Sequence, residues 1–155
     1  MSDAATSISP SKQRLRLWLR LLRATRGIEN GARNLLREEF DTTLPRFDVM
    51  AALYRSENGL TMGELSRELM VSNGNVTGIV ERLVDGGLIT RNTRGKDRRT
   101  SQIALTPEGR AFFRKMSRRH ETWINQRLSA LDEGEVDEAI RFLKRIGQSA
   151  ERTPR

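Results

Sequence analysis

The sequence predicts a mainly α fold with a small β-hairpin wing, that is, a winged helix-turn-helix with an added helical layer. Three observations predict it. Apolar residues recur at helical spacing in long segments at both ends of the chain. Between them lie two short amphipathic segments joined by a tight turn, followed by two alternating segments around a basic loop. This order of helix, turn, helix and hairpin is typical of the winged form of the motif.

Composition limits the classes of function. The chain has 155 residues, 36% of them apolar and 31% charged, with a net charge of +8. Such a balance favours polyanionic partners. The chain has no cysteine, which excludes disulfides and zinc-thiolate sites, and its one histidine argues against a histidine-based metal site.

The N-terminal segment is expected to be a disordered tail at residues 1–11, followed by one long helix at 12–40. A spacing near 3.5 residues defines the predicted inner seam of that helix: Leu21, Thr25, Ile28, Ala32, Leu35 and Phe40. Pro45 suits the first turn of a second helix, because no amide hydrogen is needed there. The apolar face of this second helix is Phe47, Met50, Ala51 and Tyr54.

Two short helices are predicted next. Thr61 and Glu64 form a capping-box sequence, in which the hydroxyl accepts from the Glu64 amide and the carboxylate reaches back. Ser72 or Asn73 then caps a helix that ends near Asp85, before Gly86 and Gly87. Its inner stripe is Val76, Ile79, Val80 and Leu83.

The C-terminal half is predicted to contain the hairpin and two more helices. Strands are expected at 88–91 and 100–105, and Thr106-Pro107 suits a helix start. The stripe of that helix is Phe112, Phe113, Met116, His120, Trp123 and Leu128, and that of the last helix is Val136, Ile140, Leu143 and Gly147. We therefore expect a winged unit at 44–106, flanking helical layers at 12–40 and 107–149, and a tail at 150–155.

The second helix of the predicted helix-turn-helix has a polar face that suits base recognition. This face carries Asn73, Asn75, Thr77, Gly78, Glu81 and Arg82. Asparagine and arginine make bidentate contacts with adenine and guanine edges, and threonine can add contacts to bases or phosphates. A plain amphipathic surface helix would show the same pattern, but the capped helix before it and the hairpin after it favour recognition.

The loop between the two predicted strands is strongly basic. Five cations fall within nine residues: Arg91, Arg94, Lys96, Arg98 and Arg99. A charge run is usually a solvated surface. This one lies at the tip of a hairpin narrow enough to reach the DNA minor groove, which is about 6 Å wide and attracts arginine. Asp97 can hydrogen-bond an arginine there and fix its direction.

The sequence resembles the MarR family of bacterial transcriptional regulators. The resemblance covers residues 12–149 and rests on the segment LMVSNGNVTGIVERLVDGGLI (69–89), on the helical layout at both ends, and on DRRTSQIALTPEG (97–109). The last of these fits the family pattern Asp-x-Arg, five residues, Leu-Thr-x-x-Gly. The resemblance implies a homodimer built from the first, fifth and sixth helices, with one recognition helix per major groove of a pseudo-palindromic operator.

Roles for two loop residues and a mode of regulation also follow from the resemblance. Arg99 would enter the minor groove, with Asp97 as its orienting partner. Members of the family are commonly repressors that are released by a small ligand, often an aromatic acid, bound between the dimer layer and the winged domain. Some are understood to sense aryl-coenzyme A thioesters.

The first helix suggests where such a ligand could bind. Arg16, Arg20 and Arg23 share one face of this helix, either as a solvated stripe or as a clamp for the phosphates of a thioester. Aromatic and methionine residues at helical spacing would form an apolar pocket, although such sets are more often plain core. The candidates are Trp18, Phe47, Met50, Tyr54, Phe113, Met116 and His120.

Three other classes of function fit the sequence to different degrees. An enzyme is disfavoured, because the sequence shows no nucleophile–base pair, phosphate loop or carboxylate dyad in a recognisable setting. An architectural nucleic-acid-binding protein fits the charge equally well, and a peptide-binding winged helix would also use the wing cations. Without an apolar leader or a membrane-spanning run, a cytoplasmic protein with no membrane partner and no cofactor is expected.

Overall fold

The computed structural model describes residues 9–92 and 101–151. The elements within these ranges are α1 (Pro10–Phe40), α2 (Leu44–Arg55), α3 (Met62–Leu69), α4 (Asn73–Asp85), β1 (Ile89–Asn92), β2 (Gln102–Leu105), α5 (Pro107–Arg127) and α6 (Glu133–Glu151). They fall in two compact units, Met1–His120 and Glu121–Arg155, and α5 continues from the first into the second. The predicted mainly α fold with a hairpin is confirmed.

Helix α1 begins two residues earlier than the sequence predicted. Pro10 occupies the first helical position, where a residue without an amide hydrogen loses nothing. The buried residues of α1 are Ala32, Leu35 and Leu36, and Leu36 is completely enclosed although the predicted seam omitted it. Thr25, which the seam included, is exposed, because residues 10–20 and 23–27 lie on the surface of the single chain.

The core of the first unit is built around α2. Val49, Met50 and Leu53 of this helix are fully enclosed, and they pack with Leu36 of α1 and Met116 of α5. The same core receives Val76, Val80 and Leu83 of the predicted inner stripe of α4, while the fourth stripe residue, Ile79, is only partly buried against it. Because an apolar side chain of this size contributes about 1.5–3 kcal/mol when buried, this shared core fixes α4 against α2.

The hairpin is antiparallel and short. Ile89 pairs with Leu105 and Asn92 with Gln102, so each strand starts one or two residues later than predicted, with Thr100 outside the described residues. Leu60, in the connection before α3, adds a bridge to Ile103 through two backbone hydrogen bonds of 2.9 and 2.8 Å. The buried Ile89 and Ile103 anchor the hairpin in the core.

The start of α5 is docked onto the turn that joins α4 to β1. The Thr106 hydroxyl accepts from the Gly109 amide at 2.9 Å and donates to the Gly87 carbonyl at 2.8 Å. The Thr106 amide donates to the Leu88 carbonyl at 3.0 Å. A Cβ added at Gly109 would lie 1.9 Å from that same Leu88 oxygen. The Leu-Thr-x-x-Gly part of the motif therefore holds α5 against this turn.

The second unit contains the end of α5 and all of α6. Asp132 and Glu135 form a reciprocal cap at the start of α6, with two backbone-to-carboxylate bonds of 2.9 Å. The apolar Ile140, Phe142 and Leu143 of α6 are exposed in the single chain. Within residues 9–92 and 101–151, no helix is long and apolar enough to cross a bilayer.

Candidate nucleic-acid interface

Helix α3 and the turn after it set the start of α4. The Thr61 amide donates to the Glu64 carboxylate at 2.8 Å and the Glu64 amide to the Thr61 hydroxyl at 3.3 Å, which confirms the predicted capping box. The bond from the Thr61 backbone holds the pKa of Glu64 below its usual value. Met70 then takes a left-handed conformation with φ 54° and leaves 93% of its surface exposed in the turn.

Helix α4 separates a buried face from a polar one. Asn73, Asn75, Gly78 and Arg82 are exposed, as base recognition requires. Thr77 is half-buried, and its hydroxyl donates to the Asn73 carbonyl at 2.8 Å, which leaves the oxygen able to accept a hydrogen bond. Ser72 is the N-cap residue, and its side chain makes no capping hydrogen bond, so the first α4 amides have no side-chain acceptor from the cap.

The glycines of α4 leave parts of its polar face without side chains. A Cβ added at Gly74 or at Gly78 would meet nothing within 4 Å, so the packing of the chain itself does not require glycine at these positions. Each glycine costs about 1 kcal/mol relative to alanine in a helix. Glycine at both positions is consistent with close approach of another molecule to this face.

Only part of the predicted wing lies within the described residues of the hairpin. Arg91 and Asn92 are exposed at the end of β1. The other predicted wing residues lie outside the described residues, and they are Arg94, Lys96, Asp97, Arg98 and Arg99.

A cleft with four arginines borders the polar face of α4, and we call it the arginine cleft. It has a volume of about 760 Å³ and lies between the C-terminal half of α1, the start of α2, and α4. Its lining consists of Arg33, Arg37, Thr42, Thr43, Leu44, Pro45, Arg46, Val71, Gly74, Asn75, Gly78, Ile79 and Arg82. The residues that line it include no acid. This site was not predicted from the sequence. Its only sequence signal is the i, i+4 spacing of Arg33 and Arg37, which places both on one face of α1.

The predicted ligand residues divide into two groups. Phe47 lies against Phe113 and His120, with ring centroids 5.3 and 5.1 Å apart, and Tyr54 lies 4.9 Å from Phe113. Met50 and Met116 are completely enclosed in the adjoining core. Burial lowers the pKa of His120, and the nearby Asp48 carboxylate opposes this shift.

The other group lies on the exposed part of α1. Arg16, Arg20 and Arg23 line a shallow groove with Leu19 and Ala24, and Trp18 leaves 57% of its surface exposed. Trp18 precedes the buried Leu36 by 18 residues, which is about 27 Å along a helix. Trp18 and Leu36 therefore lie far apart on α1, and the groove that holds the arginine stripe includes no residue of the aromatic cluster. The part of the chain that the structure describes contains no cluster of His, Asp and Glu that could hold a metal ion.

Comparison with known proteins relates this chain to one family of transcriptional regulators. The sequence profile of the MarR family matches residues 40–100. The HTH-type transcriptional regulator MhqR of Bacillus subtilis is 26% identical over 140 residues, which span 90% of this chain and 95% of that protein. A crystal structure of a MarR family transcriptional regulator from Silicibacter pomeroyi is 33% identical, with a TM-score of 0.78, and covers 92% of this chain and 99% of that one.

A more distant structure shares the fold. The structure of Staphylococcus aureus MarR in complex with salicylate and kanamycin has a TM-score of 0.83 at 13% identity, over 92% of this chain and 95% of that one. At this identity the likeness concerns the fold alone. The Silicibacter protein, by contrast, matches over almost its full length, and that match includes the elements that build the polar face of α4.

Proposed function

This chain belongs to the MarR family and is a DNA-binding transcriptional regulator, and we propose that it is a homodimeric repressor released by an aromatic acid or its coenzyme A thioester. The observation that carries operator recognition in this proposal is the exposed face of α4, where Asn75 and Arg82 stand beside two glycines on a firmly packed helix. These are the side chains that pair bidentately with adenine and guanine. We assign residues 44–106 to DNA binding, and 12–40 with 107–149 to dimerisation.

In the proposed complex, each α4 lies in a major groove of a pseudo-palindromic operator. Asn73, Asn75 and Arg82 contact base edges or adjoining phosphates, and Gly78 permits close approach. The wing enters the neighbouring minor groove with Arg99 as the inserted arginine and Asp97 as its orienting partner. The remaining cations of the wing and of β1 contact phosphates, and they are Arg91, Arg94, Lys96 and Arg98.

The proposed homodimer would cover apolar side chains that the single chain leaves exposed. On α1 these include Leu15, Trp18 and Leu19, and on α6 they include Ile140 and Leu143. Apolar patches of this kind usually mark interaction surfaces. Light scattering after gel filtration should give twice the chain mass of 17.7 kDa, and Leu143→Glu should shift the population toward the monomer. A wild-type monomer at micromolar concentration would contradict the dimer.

The effector is proposed on chemical grounds. The Staphylococcus aureus relative binds salicylate, an aromatic acid, in its structure. The aromatic cluster around Phe47 and Phe113 is a candidate for the ring, while the exposed Arg16, Arg20 and Arg23 are candidates for the phosphates of a thioester. Because the arginine stripe lines a groove of its own, a thioester would have to reach from that groove to the aromatic cluster, whereas a free acid would need the aromatic cluster alone.

One experiment tests the regulator and the effector together. Fluorescence anisotropy would follow the binding of the protein to the DNA just upstream of its own gene, with random duplex as competitor at near-physiological salt. A specific regulator should prefer its operator by about 10³-fold or more. Aromatic acids and their thioesters are then added in turn. Release by thioesters alone supports the arginine stripe as a clamp, and release by free acids reduces it to a solvated surface.

Loss of the complex to random competitor would instead favour an architectural DNA-binding protein, since phosphate contacts carry no sequence information. As a regulator of bacterial transcription, the protein would act in the cytoplasm.

A further inference from the structure

The arginine cleft beside α4 is not explained by base recognition. One of its walls is the polar face of α4 itself, including Asn75, Gly78 and Arg82. The opposite walls come from elements outside the helix-turn-helix, namely α1 with Arg33 and Arg37 and the start of α2 with Arg46. Four cations therefore surround a concave space next to the helix that we place in the major groove.

The dimensions of DNA indicate what occupies such a space. An α-helix with its side chains is about 10–12 Å across, and the major groove is about 12 Å wide. A helix in the groove fills it, so the sugar-phosphate backbone that forms the groove wall must run directly beside the helix. The arginine cleft lies beside α4, and its lining includes Asn75, Gly78 and Arg82 of the face that we assign to the bases.

The chemistry of the lining suits that backbone. Arginine pairs bidentately with phosphate, and the start of α2 adds the positive end of a helix dipole. Arg33 is paired with Glu29, whereas Arg37 bonds the neutral Asn34 at 3.0 Å and approaches Glu38 only to 4.0 Å. Between the arginines, Pro45 and Val71 offer apolar surface that can lie against deoxyribose.

We infer that the arginine cleft clamps one sugar-phosphate strand beside the groove that α4 enters, with Arg37 and Arg46 as phosphate ligands. The inference rests on the proposed placement of α4. Its consequence is positional: contacts from α1 and α2 set how deep and at what angle α4 lies, while α4 and the wing read the sequence. The cleft thus makes the helical layer part of the DNA-binding surface.

Salt dependence of binding tests this clamp. Operator affinity is measured by anisotropy from 50 to 300 mM salt for the wild type, Arg37→Gln, Arg46→Gln and the control Arg55→Gln. Arg55 is an exposed arginine on α2 that pairs with Glu68 and does not line the cleft. Each lost phosphate contact should reduce the slope of log affinity against log salt by about 0.9 per bound subunit. Affinity at physiological salt should fall about tenfold for each bound subunit, as for a lost charged hydrogen bond.

The ratio of operator to random-duplex affinity should stay close to that of the wild type, because phosphate contacts are blind to sequence. Thermal melting of each variant checks that it is folded. Unchanged slopes in both cleft variants, with a specific wild-type complex, would overturn the clamp and leave the proposed function intact. A wild type without operator preference would defeat both. If benzoate binds the free protein and Arg37→Gln abolishes that binding without changing the slope, the cleft is a small-anion site and the clamp is wrong.

Discussion

Replacing Gly109 with alanine tests how the DNA-binding unit is held to α5. A Cβ at this position would lie 1.9 Å from the Leu88 oxygen, about 1.5 Å short of the ordinary contact distance of 3.4 Å. The obstacle is backbone, which cannot rotate away as a side chain can. Helix α5 would have to move back from the turn after α4, and the bonds from Thr106 to Gly87 and Leu88 would lengthen.

The cost follows from two contributions. Overpacking of this kind costs about 1–3 kcal/mol, and each weakened hydrogen bond costs about 0.5–1.5 kcal/mol. Alanine recovers less than about 1 kcal/mol through helix propensity near the helix start. We therefore expect the free energy of unfolding to fall by about 2–4 kcal/mol, which corresponds to a melting temperature lower by roughly 5–15 °C.

Urea unfolding followed by circular dichroism measures this change, at one protein concentration because an oligomer's stability depends on it. The matched control is Gly27→Ala in α1, where an added Cβ meets nothing within 4 Å. Alanine there should raise stability by about 0.5–1 kcal/mol. If Gly109→Ala unfolds within 0.5 kcal/mol of the wild type, the close approach of α5 to Leu88 and the reasoning built on it are refuted.

Three further predictions follow from the same structure. Gly78→Ala should raise the free energy of unfolding by about 0.5–1 kcal/mol in urea unfolding, because alanine favours the helix. It should also weaken operator binding at least tenfold in anisotropy, because a methyl group on α4 blocks close approach to DNA. Unchanged binding would show that this face does not approach DNA closely. Thr61→Ala should cost about 1 kcal/mol in urea unfolding by removing the capping box with Glu64, and a cost below about 0.3 kcal/mol would contradict that cap. Burial lowers the pKa of His120, so the unfolded chain binds a proton more readily than the folded one. The free energy of unfolding should therefore fall as pH drops from about 7.5 to about 5.5, through the unfolded pKa near 6.5, and His120→Gln should weaken this pH dependence. An equal pH dependence in both proteins would rule out His120 as its source.

Local chemistry explains why much of the fold could be predicted from the sequence. The Thr61–Glu64 box and the Thr106-Pro107 start are signals within three residues, and both caps form as expected. The stripe of Val76, Val80 and Leu83 follows from helical periodicity and is fully or almost fully buried. Such features need no knowledge of which elements pack together.

Features that depend on tertiary contacts could not be read in this way. Leu36 is the fully enclosed residue of α1 because residues of α2 and α5 pack beside it. A seam with constant spacing of apolar residues does not include it. The bond from the Thr77 hydroxyl to the Asn73 carbonyl depends on the helical turn itself and is not visible in the sequence. The arginine cleft exists only because α1 and α2 lie beside α4.

The two parts of the wing motif also separate once the fold is known. In the sequence, residues 97–109 form one continuous motif. Thr106 and Gly109 secure α5 to the turn after α4, where Gly109 leaves no room for a side chain. Asp97 and Arg99 lie outside the described residues, and their minor-groove roles stay predictions. A motif can thus combine a folding requirement with a proposed recognition role.

The most direct test of base recognition by α4 compares two affinities in one variant. Asn75→Ala removes an exposed side chain from the polar face and leaves the buried stripe intact. Anisotropy would give the affinity of wild type and variant for the operator and for a random duplex of equal length. A lost bidentate base contact costs about 1–3 kcal/mol, so operator affinity should fall at least tenfold while random-duplex affinity stays unchanged. A parallel fall on both duplexes, or none on either, would contradict sequence reading by this helix.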